Sequence, residues 1–156
     1  MNPSHWLEAA EQLVDEDRRG APRQVNLRCA VSMTYYALFH RLANSTADAF
    51  AGGTRQKDWS WTRAYRGIDH RQIRDQCRSK RIPCSFSPRI RRCAIELAAM
   101  QVHRHRADYD PEARFSKAEA IKHIENARNV LTGIEAGNPA EKRALAIHVL
   151  FKERSA

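Results

Sequence analysis

The stretch Val25–Ala43, VNLRCAVSMTYYALFHRLA, constrains the fold more than any other part of the chain. Projected at about 100° per residue, Leu27, Val31, Tyr35, Leu38 and Leu42 form one apolar stripe. Val25, Cys29, Met33 and Tyr36 form a second stripe on another side. Only a narrow strip around Thr34 and Arg41, flanked by Ala30 and Ala37, is plainly polar. A helix that is apolar on most of its circumference must be covered on most of it. The pattern therefore predicts a central helix wrapped by other helices or by a second subunit. Arg28, Ser32, Tyr36 and His40 step along this helix at intervals of four, a polar seam drifting across the second stripe. Buried polar groups need partners, so the seam lines either a hydrogen-bonded core network or a cleft.

The flanking patterns are also helical. Asn2-Pro3 is an N-cap followed by a first-turn proline, and Trp6, Ala9, Ala10, Leu13 and Val14 form an apolar face before a stop at 15–20. Ala21-Pro22 opens the central helix, which Gly52-Gly53 breaks. Thr54–Phe86 reads as one or two short helices interrupted at Gly67, Ser79 and Pro83. Ser87-Pro88 starts a helix carried by Ile90, Ala94, Leu97, Ala98, Gln101 and Val102, and Asp110-Pro111 ends that region. Ser116-Lys117-Ala118-Glu119 is a capping box before an amphipathic helix that Gly137 closes. Asn138-Pro139 opens a last helix. No strand pattern or tandem repeat occurs, so 156 residues predict one all-α domain. Its architecture is an up-and-down bundle of four to five long helices plus short ones.

Charge singles out one segment. Residues 1–54 are net −1 and residues 93–156 net +1, whereas residues 55–92 carry twelve Lys/Arg against three Asp. This excess is the footprint of a polyanion partner. Within it Trp59, Trp61 and Tyr65 alternate with Arg55, Lys57, Arg63 and Arg66, a pattern suited to single-stranded RNA, which offers phosphates and unstacked bases. Arg63, Arg66, Arg71, Arg74 and Arg78, with Trp59 and Trp61, are the candidate contacts. The alternative is that the two tryptophans pin this segment to the core. The segment lacks the long apolar face of a membrane-surface helix, and no apolar run is long enough to span a bilayer. The acidic, amphipathic N-terminus predicts neither a signal nor a transit peptide. Four cysteines without a CxxC pair argue against zinc and for free thiols in a reducing, cytoplasmic setting.

Two stretches in register carry a family resemblance. Arg28-Cys-Ala-Val-Ser-Met-Thr-Tyr-Tyr-Ala-Leu-Phe-His40 resembles the second-helix signature of small bacterial stand-alone HEPN proteins. His103-Arg-His-Arg-Ala-Asp-Tyr-Asp-Pro111, followed by the helix at 116–134, resembles that branch's R…ADYDP stretch and closing helix. His70 falls where those proteins often carry a histidine opening the third helix, and the likeness covers roughly residues 20–135. The resemblance implies a homodimer with a cleft at its interface. It also implies metal- and cofactor-independent RNA cleavage through an Arg-x4–6-His motif, and in several members a toxin paired with a nucleotidyltransferase antitoxin. Arg104 is then the phosphate-facing residue, Asp108 and Tyr109 hold the turn after it, and His40, His70 or His105 transfers protons. Histidine titrates near neutrality and arginine neutralises a phosphorane, which is why these residue types suit the reaction. The sequence departs from the motif by placing Tyr109 where histidine is expected. Arg63/His70 and Arg143/His148 also fit the spacing. Two further readings stand beside cleavage: a non-catalytic module that binds RNA or nucleotide or docks on a nucleotidyltransferase, and a structural dimer whose positive face meets an acidic protein.

Overall fold

The computed structural model describes residues 2–15, 23–52, 58–78 and 80–152. Seven helices and no strand are present among them: α1 (Pro3–Asp15), α2 (Gln24–Ala51), α3 (Trp59–Arg66), α4 (His70–Gln76), α5 (Pro88–Tyr109), α6 (Lys117–Glu135) and α7 (Pro139–Leu150). The architecture is the expected all-α bundle of five longer helices and two short ones. Local chemistry sets the boundaries. Asp58, Asp69, Ser87, Ser116 and Asn138 each accept a hydrogen bond from the backbone of the first turn they cap. Capping boxes close the starts of α6 and α7. Gly52, at φ 75°, ends α2 in a conformation that side chains resist. The predicted stop after α1 and the start at Ala21-Pro22 lie outside the described residues, as do Gly53, Arg55, Lys57 and Ser79.

Helix α2 packs against α1, α3, α5, α6 and α7. Leu27, Val31, Tyr35, Leu38 and Leu42 are all buried, as the first stripe requires. The predicted polar strip, however, faces inward. Ala30, Thr34 and Ala37 are fully buried, Thr34 Oγ1 donates to the Ala30 carbonyl at 2.8 Å, and Arg41 reaches Glu135 of α6 at 2.8 Å. Small side chains let a neighbouring helix approach closely, and the threonine hydroxyl satisfies itself within its own helix. The second apolar stripe instead begins in solvent, with Val25 60% exposed and Cys29 open.

Antiparallel pairing is visible in the cross-contacts. Arg28 meets the end of α5 while Tyr36 meets Arg104 one turn earlier in α5. His103 and Cys93 of α5 face His123 and Val130 of α6. Lys117 and Arg128 of α6 reach Asp15 and Glu11 of α1. α7 closes one end, where His148 Nε2 donates to the Gln76 carbonyl at 2.9 Å and Gln72 donates to the Val149 carbonyl at 2.7 Å. His148 of the Arg143/His148 pair therefore packs at this end, while Arg143 is exposed.

Candidate functional site

Every member of the α2 seam finds a partner: Arg28, Ser32 and Tyr36 meet the end of α5, and His40 meets Tyr65 of α3. Arg28 Nε donates to the Ala107 carbonyl at 2.7 Å and Nη2 to the Asp110 carbonyl at 2.8 Å. The first satisfies a carbonyl that the terminating helix leaves open, and the second adds to the Asp110 carbonyl, which also accepts from the Ala113 backbone N–H at 3.3 Å. Ser32 Oγ donates to Asp108 Oδ1. Asp108 Oδ2 lies 2.7 Å from Arg104 Nε, so the pair predicted one turn apart is formed. The contact is one of charge to charge, because the N–H is not aligned on that oxygen. Arg104 Nη2 donates to the Tyr36 hydroxyl at 2.8 Å. The guanidinium also stands over two rings, 5.5 Å from the centre of Tyr36 and 5.4 Å from that of Tyr109. Arg104 is thus held by a carboxylate, a phenol and two π-faces, with a small part of it open to solvent.

Histidines form a layer beside this clamp. His40 and His70 lie 6.3 and 6.1 Å from the Tyr36 ring, centre to centre. His70 Nδ1 bonds the Tyr35 hydroxyl at 2.7 Å, and His40 Nδ1 bonds the Tyr65 hydroxyl at 2.6 Å. Among the described residues neither Nε2 has a hydrogen-bond partner. Burial lowers the pKa of both imidazoles. The positive Arg104 lowers that of His70 further, against a smaller opposing pull from Asp69. Both rings are therefore neutral at neutral pH, the form in which an imidazole accepts a proton. Burial raises the pKa of the Tyr35 hydroxyl well above that of free tyrosine, so it remains a neutral hydrogen-bond partner. Rings fix the orientation: Phe39 lies 4.2 Å from His70, and Trp6 and Tyr65 stack on His40 at 5.4 and 6.2 Å.

The remaining predicted residues divide. His105 is exposed on α5, and its ring stands 5.0 Å from that of Tyr109. Tyr109 is 64% exposed. Arg63, Arg66, Arg71 and Arg78 are exposed and Arg74 is half-buried. Arg71, Arg74 and Arg78 converge on Asp75 at 3.9, 3.2 and 3.8 Å. Trp59 is 80% exposed and free to stack. Trp61 is not: it is 7% exposed, its indole N–H donates to Asp48 at 2.8 Å, and it stacks on Tyr65 at 5.1 Å. Its role is to support the wall behind His40, so the pinning alternative holds for Trp61 and not for Trp59.

Three members of the cluster escaped the sequence reading. Sequence spacing places Trp6 only on the face of α1, Tyr35 only in an apolar stripe, and Tyr65 only in the basic segment. The one available signal was that a tyrosine on a buried face needs a partner for its hydroxyl. No family model, curated protein or solved structure matches this chain.

Proposed function

We propose that this protein is an HEPN-like, RNA-directed protein and a candidate metal-independent endoribonuclease of the toxin or defence type, acting in the cytoplasm. The observation that carries this reading is the convergence of Arg104 with two neutral histidines whose Nε2 atoms are uncommitted. In such a cleavage, His40 or His70 takes the proton of an RNA 2′-hydroxyl. The freed 2′-oxygen attacks the adjacent phosphorus, the bond to the 5′-oxygen breaks, and that oxygen leaves with the proton handed back by the histidine that took it. The products are a 2′,3′-cyclic phosphate and a 5′-hydroxyl. Arg104 offsets the charge that builds on the phosphorane, and the exposed arginines of α3 and α4, with Trp59, hold the flanking strand. The exposed start of the second apolar stripe at Val25 and Cys29, with the open Tyr109, supports a homodimer.

A specific feature favours the non-catalytic alternative. Asp108 already partly neutralises Arg104, and Tyr109 fills the motif position where a histidine would act. On that reading the same surface retains RNA, or docks a nucleotidyltransferase partner, without turnover. Incubating labelled RNA with the protein in EDTA separates the two. Cleavage supports the ribonuclease, retention without cleavage supports the binding module, and neither outcome at low salt removes RNA from the account.

A further inference from the structure

A second cleft lies on the opposite end of α5. Arg104 is twelve residues beyond Arg92, about 18 Å along a helix. Arg89, Arg92 and Glu96 recur along one face of α5, and Asn126, Asn129 and Gly133 recur along the facing side of α6. The two faces bound a cleft of about 570 Å³, the size of a small-molecule site. Gly133 makes the cleft floor possible. A Cβ there would come within 2.7 Å of Cys93 Sγ, so only glycine lets the helices approach this closely. Its absent side chain also leaves the space beside Arg89 unfilled, the Arg89 Cγ being 3.7 Å from where that Cβ would stand.

The lining mixes apolar helix surface around Cys93, Val130 and Gly133 with polar side chains, most of them uncommitted. Arg89 holds the Ala136 carbonyl at 2.9 Å, which fixes its stem across the end of α6. The side chains of Arg92, Glu96, Asn126 and Asn129 make no hydrogen bond or ion pair with any described residue. The floor adds no negative charge, because burial raises the Cys93 thiol pKa and keeps it neutral. Two guanidiniums mark one end, two amides the middle, and an acceptor-only carboxylate the other end.

We propose that the α5–α6 cleft binds a small phosphomonoester that carries hydroxyl or amino donors at the end away from its phosphate. Arg89 and Arg92 take the phosphate, Asn126 and Asn129 bond the central polar atoms, and Glu96 accepts from the donor end. This site is separate from the Arg104 cluster and independent of whether that cluster acts on RNA.

The test is an amide-detected NMR titration of the full chain with ribose 5-phosphate, and separately with inorganic phosphate. Ribose 5-phosphate should move the Gly133 amide and the Asn126 and Asn129 side-chain amides saturably, and should bind more tightly than inorganic phosphate. Arg92→Gln removes one charge-assisted contact from an exposed, unpaired position and should weaken binding about tenfold. Asn129→Leu fills the cleft from an exposed helical position and should abolish the shifts. The proposal fails if the cleft signals do not move, or if both variants bind like the parent. It also fails if inorganic phosphate binds equally well, or if the shifts fall on the α4 arginines instead.

Discussion

Arg28 shows how much one side chain can organise. It donates to two carbonyls at the end of α5 from 79 and 82 residues away in sequence. Arg28→Ala should cost about 1–3 kcal/mol, since two charged hydrogen bonds are lost and the Ala107 carbonyl is left open. Urea unfolding measures that loss directly. Tyr35→Phe tests the histidine layer more narrowly. It leaves the packing almost unchanged but strands His70 Nδ1, so it should also destabilise by about 1–3 kcal/mol. The His70 titration should shift in the same variant, as followed by NMR. At this scale the α2 seam was legible because four polar residues at helical spacing on an apolar helix announce partners. The Arg104–Asp108 pair was legible for the same reason, being local. Trp6 and Tyr65 were not, because no local spacing ties either to His40. Only the closing of α1 and α3 over α2 brings them there.

Element faces were read less well than element boundaries. Caps are written in short strings, so Ser116–Glu119 and Asn138-Pro139 sit where they were expected. Which side of α2 meets solvent depends on neighbours, and Thr34 turns inward because its hydroxyl is satisfied within the helix. The α5–α6 seam carries two predictions. Gly133→Ala gains about 1 kcal/mol of helix propensity but forces Cβ into Cys93, an overpacking that costs about 1–3 kcal/mol. Net destabilisation should follow, and Cys93→Ala in the same chain should relieve it. A double-mutant cycle reads the coupling. Farther along, the His103 and His123 rings lie 4.3 Å apart, with His103 Nδ1 buried and unpartnered. Burial, and then the proximity of His103, lower the His123 pKa from 6.5 to about 4. The unfolded chain therefore binds more protons than the folded one between those values. Stability is fully present above pH 6.5 and is lost as pH falls toward 4. Thermal melting across this window should show the loss, and His123→Gln should flatten it.

The whole molecule is organised by α2. Leu38 is fully buried at its centre, and Leu38→Ala should cost about 2–5 kcal/mol, read from urea unfolding. The all-α bundle was legible from periodicity and caps alone. Function was less so, because chemistry rests on which distant groups face one another and no sequence spacing specifies that. The exposed Val25 and Cys29 lead to an expected dimer, and sedimentation giving only the monomer mass at tens of micromolar would remove it. The most direct measurement compares wild type, Arg104→Ala and Asp108→Ala for cleavage of labelled RNA in EDTA, with thermal melting of each. The ribonuclease account predicts that Arg104→Ala melts cooperatively and has lost cleavage. Asp108→Ala, with Arg104 freed of its carboxylate, should retain RNA at least as strongly as wild type. Full cleavage by folded Arg104→Ala would contradict the account and leave this cluster a structural clamp.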